Sequence, residues 1–418
     1  MQGLGRVQGQ VRHVRTLGGD PSGARTVIGV GRRSERRISR LLAVLLSAVV
    51  LTGCGDDGYE PSGPFRPLPE GAPPEVGPPS SSAPIPGEPA EPGSGEEGGD
   101  PNVVASGLSV PTGLVLLPDG SAIVGERDTG RLLQVFPDRS PARELMTVPG
   151  IDAAGDGGLL GLALSPTYLE DGLLHAYVST ATDNRVVRFP LGGTPNPVFT
   201  GIPRGEQRNG GGLVFGPDGH LFVGTGDVGD PALAQGPESL AGKVLRIDVF
   251  GRPVGATPVY SRGHQDVTAL CQVVTAPEEG SQDPPTATLY AADDTAQGPD
   301  AVDLVIEGAD YGTVAPLIEV AAEAGDPGGC AAAGGAVFLG ALDGQRVHAF
   351  ALDGTGAVVG DPEEFLAGQY GRLRTVVIDT EGALWITTSN RDGIGTPVED
   401  DDRVLRILPP SAAGTSPL

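Results

Sequence analysis

One unit recurs six times between residues 103 and 409, and this repetition constrains the fold more than any other feature of the chain. The unit is a short apolar strand, a Pro/Asp-Gly turn, a second strand, then a third strand that carries Arg. "PTGLVLLPDGSAIVGERDTGRLLQVF" (111–136) is the first copy and "GRLRTVVIDTEGALWITTSNRDG" (371–393) opens the last. The "PDG" and "TEG" turns supply the glycine that tight hairpins need. The residues around them alternate or run apolar, as in buried strands. Three or four strands cannot bury both faces alone, so the copies must stack on one another. Six copies of roughly 50 residues predict an all-β fold, a six-bladed β-propeller of four-stranded blades over residues 102–410. A β-sandwich would not repeat one blade signature six times. "NVVASGL" (102–108) is expected to supply the strand that closes the ring against the last blade.

The residues before the repeats differ in character. Arg32, Arg33, Arg36, Arg37 and Arg40 precede "LLAVLLSAVVLTGC" (41–54). A basic stretch, a short apolar run and then small residues read as an export signal, and the run is too short for a spanning helix. Leu51-Thr52-Gly53-Cys54 resembles the bacterial lipobox, which predicts cleavage before Cys54, lipid on its thiol and a lipid anchor in the bacterial cell envelope, periplasmic or at the cell surface. Residues 55–101 hold 12 Pro between positions 55 and 100 with Gly, Ser and Glu and no apolar run. Such a composition cannot bury a core and predicts a disordered, semi-extended tether. Residues 411–418 are expected to form a disordered tail.

Charge excludes one class of partner. Residues 1–54 carry nine Arg against two acids, and the remainder carries 19 basic against 51 acidic residues. A body this acidic repels nucleic-acid phosphates. With Cys54 assigned to lipid, Cys271 and Cys330 remain. Export to an oxidising compartment permits a disulfide between them, and two separate buried thiols is the other reading.

Few side chains suit catalysis. His220 follows a hairpin turn and is expected to face solvent. His175 and His348 lie within strand patterns and are expected to pack. His264 lies in a loop expected to border the axial pocket. No two histidines have zinc-like spacing. Acidic loops at 226–231, 293–303 and 399–403 are candidates for Ca²⁺, a hard ion that takes several oxygen ligands; Asp293, Asp294 and Asp300 form the set expected to bind it. No phosphate-cradling glycine loop and no Ser/His/Asp order stands out.

The stretches "GGLLGLALSPTY", "NGGGLVFGPDGHLFVGTGD", "GKVLRIDVFG", "LYAADDTAQGPDAVDLVIEGADYG" and "GRLRTVVIDTEGALWITTSNRDG", in this order, resemble the soluble sugar dehydrogenases that depend on pyrroloquinoline quinone (PQQ), the glucose/sorbosone dehydrogenase family. The resemblance covers about residues 103–409. It implies PQQ over the central axis, a Ca²⁺ ion polarising its carbonyls, a histidine that takes the sugar hydroxyl proton, and cations that hold the three PQQ carboxylates, with the cofactor supplying the redox chemistry.

Carried over position by position, the family's base falls on Arg208, which stays protonated and cannot accept a proton. The "G-H-R-N-P-Q-G" loop reads Gly263-His264-Gln265-Asp266-Val267-Thr268-Ala269, which places cofactor-site positions at Gln265, Asp266 and Thr268 and makes His264 the substitute base. The expected lysine of the fifth blade is Asp343. The paired arginines survive as Arg372 and Arg374, and Asp156 occupies an acidic or amide position beside the pocket. The resemblance thus implies oxidation of an aldose or similar polyol with electrons passed to an envelope acceptor, Arg372 and Arg374 on PQQ, and Arg208 and His264 on the substrate side. The alternative is a catalytically inactive propeller that binds a glycan, peptide or protein partner. A third reading, a lactone or ester hydrolase with axial calcium, would rest on Asp156, Asp266 and Asp343.

Overall fold

The computed structural model describes residues 99–278 and 280–410. The expected export signal, most of the tether and the tail lie outside the described residues.

Within them the chain forms six four-stranded antiparallel sheets. The first blade comprises β2 (Pro111–Leu116), β3 (Ala122–Glu126), β4 (Arg131–Val135) and β5 (Arg143–Thr147); the second β6 (Leu159–Leu164), β7 (Leu173–Ser179), β8 (Asn184–Pro190) and β9 (Asn196–Ile202). The third holds β10 (Leu213–Phe215), β11 (Leu221–Gly224), β12 (Lys243–Ile247) and β13 (Val259–Arg262), and the fourth β14 (Val267–Thr275), β15 (Thr286–Asp293), β16 (Asp300–Leu304) and β17 (Ile318–Val320). The fifth has β18 (Pro327–Ala333), β19 (Ala336–Ala341), β20 (Arg346–Ala351) and β21 (Glu363–Phe365). The sixth joins β22 (Leu373–Ile378), β23 (Leu384–Thr388) and β24 (Val404–Ile407) to β1 (Val103–Ala105), which pairs with β24. The first strands of consecutive blades touch all the way round, and β22 returns to β2. The fold is the six-bladed propeller expected from the repeats, with the N-terminal strand closing it.

The turns work as the repeat implied. Asp119 Oδ1 accepts hydrogen bonds from the backbone N–H of Ser121 at 2.9 Å and from its hydroxyl at 2.6 Å, and Gly120 sits at φ +83°, where a side chain would be strained. The core lies between blades. Leu159, Leu174, Val187 and Phe189 of the second blade pack on Ile123 and Leu132 of the first. Trp385 of the sixth packs on Leu114 and Val124 of the first, with its indole N–H on Asp379. Each sheet therefore buries its faces only against its neighbours. Near the axis the innermost strands crowd together. A Cβ at Gly161 would collide with the carbonyl oxygen of Gly211 in the next blade.

Cys271 of β14 and Cys330 of β18 form a disulfide that staples the innermost strands of the fourth and fifth blades. His175 is buried with neither ring nitrogen hydrogen-bonded, and its ring meets Phe215 edge-on. His348 is buried and bonds the Ala324 carbonyl, whereas His220 is partly exposed beside Asp218. The single lysine, Lys243, is wholly buried and donates to the carbonyls of Leu233, Ala234 and Ala241. Among the described residues no helix is long and apolar enough to cross a membrane.

Candidate active site

Two kinds of loop converge on one end of the axis: those that lead into each innermost strand, and those that join the second strand of a blade to the third. Between them lies a cavity of about 420 Å³. Asp266, Asp326 and Arg372 line it from equivalent positions, each the residue immediately before the innermost strand of blades four, five and six. Arg127, Asp294, Asp343 and Asp392 line it from the second-to-third-strand loops of blades one, four, five and six. Thr112, Asp156, Asn209, Thr268, Thr295, Asp300 and Arg374 complete the polar wall, and Ile394 sits at its edge. Seven aspartates face the cavity with three arginines.

Arg372 anchors the wall of the sixth blade. Its Nε donates to Asp392 at 2.8 Å, its Nη2 to Asp326 at 2.9 Å and its Nη1 to Asp343. Burial works against its charge, but the bond to Asp343 and the charges of Asp392 and Asp326 prevail and hold its pKa above the ordinary arginine value. Asp392 is held below the usual carboxylate range, because bonds from the N–H groups of Gly395 and Ile394 and the charge of Arg372 overcome its burial. Arg374 donates Nε to Ser389 Oγ at 2.8 Å, and its Nη2 stands 3.8 Å from Asp392.

The opposite wall is acidic. Burial first, and then the charges of Asp294, Asp293 and Asp156, push the Asp266 carboxyl well above its usual range, against one bond from the Gly210 N–H at 2.6 Å. Asp294 is raised too, by burial and by Asp326 and Asp300. Asp326 is raised by burial in spite of Arg372 and Arg374.

Several expected residues do not reach the cavity. His264 is fully buried behind the wall, so its assignment as substitute base is corrected. Its Nδ1 lies 3.3 Å from Asp293 and 3.1 Å from Asp303, its Nε2 meets Ser261 Oγ at 2.9 Å, and its ring stacks on Tyr311. Burial lowers its pKa, but the two carboxylates win and raise it to about 9, so it holds its proton. Arg208 turns away from the cavity as well. Its Nε lies 3.0 Å from Asp227, its Nη1 donates to Gln265 Oε1 at 3.4 Å, and its backbone is left-handed at φ +53°. Gln265 spends the same oxygen on the Ala296 N–H, away from the cavity.

The expected calcium set is also divided. Asp293 accepts from the N–H groups of Gln265 and Asp266 and faces His264, away from Asp294. Asp300 accepts from the N–H groups of Thr295 and Asp326. Among the described residues, the one acid and histidine group close enough to share an ion is His264, Asp293 and Asp303. The other acidic loops are used internally: Asp230 caps a short helix, α1 (Pro231–Gln235), and Asp402 accepts from the N–H groups of Val110 and Asn390. Asp156, Asp266 and Asp343 stand on the second, fourth and fifth blades and do not form the compact calcium set a hydrolase would need.

Asp156, Asp266, Thr268, Asp294, Asp300, Asp343, Arg372 and Arg374 therefore line the cavity, while Arg208, His264, Gln265 and Asp293 do not. Sequence reasoning missed Arg127, Asp326 and Asp392. The repeat register carried a signal for Asp326, which precedes β18 as Asp266 precedes β14.

The chain matches the model of the family described as "Glucose / Sorbosone dehydrogenase" over residues 108–325 and 329–396. It is 37% identical to a PQQ-bound aldose sugar dehydrogenase from Streptomyces coelicolor, with a TM-score of 0.67, covering 73% of this chain and 96% of that one. It is 33% identical to an oxidoreductase of Thermus thermophilus described as a glucose dehydrogenase, with a TM-score of 0.64, covering 73% of this chain and 98% of the other. It is 25% identical over 260 residues to quinoprotein glucose dehydrogenase B of Acinetobacter calcoaceticus, and there it spans 52% of the relative's length and 51% of its own. The chain thus spans about half the length of that curated relative.

Proposed function

The chain belongs to the glucose/sorbosone dehydrogenase family, and on that premise we propose that its axial cavity is the working site and takes a small polyhydroxylated molecule of the sugar class. The size of the cavity and its wall of carboxylates, Asn209 and Thr268 suit a ligand that offers many hydroxyls.

The residues present do not fit PQQ. Three cofactor carboxylates call for cations with free donors. Arg372 commits one N–H of each side-chain nitrogen to Asp326, Asp343 or Asp392, which offset its charge. Asp343 faces the cavity where the family resemblance implies a lysine. A pair of like charges about 4 Å apart costs about 4 kcal/mol at an effective dielectric of about 20. No histidine of the described residues lines the cavity, and Arg208 at the family's base position remains a cation turned to Asp227. We therefore read the protein as a sugar-binding member of the family without its quinone-dependent dehydrogenation. The enclosure of Arg372 by three carboxylates carries this reading.

A second reading keeps PQQ- and calcium-dependent oxidation of an aldose, with electrons passed to an envelope acceptor. It is favoured by the survival of Arg372 and Arg374 on the cavity wall and by the exposure of the Asp343 side chain, which leaves it free to turn outward. One experiment separates the two. The purified protein is incubated with PQQ and CaCl₂, desalted, and assayed for quinone absorbance and for aldose-dependent dye reduction. Neither signal is expected, while sugars raise the melting temperature. Retained quinone with aldose-dependent turnover would establish the second reading instead. From the sequence we further propose that the protein is exported and lipid-anchored through Cys54 in the bacterial cell envelope.

A further inference from the structure

The charges of the cavity are unevenly distributed around the ring. Blades six and one supply Arg372, Arg374 and Arg127, and blades two and four supply Asp156, Asp266 and Asp294. Arg372 is enclosed by its own three carboxylates, which offset its charge. Asp156, Asp266 and Asp294, by contrast, form no ion pair with any described residue. Asp266 is 9% exposed and lines the cavity, with Oδ1 on the Gly210 N–H and no donor of the described residues on Oδ2. No N–H of the described residues donates to the Asp294 carboxyl either. A mostly buried carboxyl that turns an unfilled oxygen into a cavity of about 420 Å³ invites a donor from whatever occupies it.

A single divalent ion does not satisfy this arrangement. Among the described residues, the acids that come close enough together to share an ion are Asp293 and Asp303 with His264, behind the wall. Among the unpaired cavity acids, Asp156 stands on the second blade and Asp266 and Asp294 on the fourth. That spacing suits an extended ligand with one positive group and several hydroxyls, because an ammonium group carries three donors and needs only one or two carboxylates.

We propose that the ligand of this cavity is an amino sugar or other polyol carrying an ammonium group, which Asp266 and Asp294 of the fourth blade receive. This rests on the reading that the cavity takes a sugar-class molecule. The raised Asp266 and Asp294 carboxyls fit it: without a cation they keep their protons, and an ammonium group would displace them.

Titration calorimetry of the purified full chain in EDTA tests this with matched probes: glucose, galactose and mannose, their 2-amino derivatives, and their N-acetylated 2-amino derivatives. The amino form of at least one hexose is expected to bind at least tenfold tighter than both its neutral counterparts. It should also release protons, seen as an enthalpy that depends on the buffer. Equal affinities across a matched trio that binds would overturn the ammonium assignment and leave the sugar pocket standing. Absence of binding by all nine would overturn both. Asp266→Asn keeps an oxygen for the Gly210 N–H, so the loop should hold, and it should bring the ratio of amino to neutral affinity towards one. Asp294→Asn should lower the ratio in the same direction. A ratio unchanged in both variants would overturn the assignment of these carboxylates.

Discussion

Asp266 and Asp326 occupy the same position in successive blades: each is the last residue before an innermost strand, and each lines the axial cavity. The same position in the sixth blade is Arg372, which bonds Asp326 at 2.9 Å. One structural register thus presents two carboxyls and then a guanidinium to a shared space, and the chemistry of the cavity follows from what the chain places there.

The electrostatic argument against PQQ is open to reversal. Asp266→Asn with Asp343→Lys holds one cavity carboxyl position uncharged and replaces a carboxylate with a cation at the cavity wall. The double variant should retain PQQ at least tenfold more tightly than the parent, read from quinone absorbance after desalting. Equal, negligible retention in both would show that charge is not what excludes the cofactor.

Two buried histidines set the pH limits of stability with opposite signs. Burial lowers the His175 pKa from 6.5 to about 4. Its imidazole is neutral in the folded chain, while the unfolded chain takes up a proton below about pH 6.5. Stability should therefore fall as pH drops from 6.5 towards 4, by about 3 kcal/mol at a rate of about 1.4 kcal/mol per unit. His264 is raised to about 9, so its stabilising contribution is complete below pH 6.5 and is lost as pH rises through 9. Urea unfolding between pH 4 and pH 10 should show both limbs. His175→Phe should flatten the acid limb and His264→Gln the alkaline one.

The Cys271–Cys330 staple closes a loop across 59 residues of sequence separation. A loop of that length corresponds to about 4 kcal/mol in the chain-entropy account. Cys271→Ser with Cys330→Ser should lower the denaturant midpoint by an amount of that order without loss of β-sheet circular dichroism. A midpoint within error of the parent would mean that packing between blades four and five already restrains the seam.

The lipidation proposal makes a fractionation prediction. Cys54→Ser should move the protein from the membrane pellet to the soluble fraction of a bacterial host. Continued sedimentation with membranes would refute an anchor at that thiol.

The architecture was legible because the same turn chemistry recurs: "PDG" and "TEG" mark hairpins at a spacing that only stacked blades explain, and "NVVASGL" contains the closing strand. The cavity was legible in part. Asp156, Asp266, Thr268, Asp343, Arg372 and Arg374, all on the cavity wall, were reached by carrying the family motifs over position by position. His264 was misplaced because the loop into β14 does not keep strand alternation: Asp266 faces the cavity, while His264, two residues before it, is committed to Asp293 and Asp303. Linear spacing does not say which loop residue takes which side. Arg208 was misassigned for a similar reason, since its left-handed backbone turns the side chain to Asp227. The partners that neutralise Arg372 come from three separate loops, and pairing across such distances has no local signature.

The pairing of β1 with β24 sets an order of events. Val103 leaves the ribosome long before Val404, so the first strand has no mate until almost the whole chain has been made. Until then five blades form an open arc with two raw edges, and the cavity they will surround lacks the wall that carries Arg372. Binding competence should therefore arrive late and all at once, when the two ends of the sequence meet.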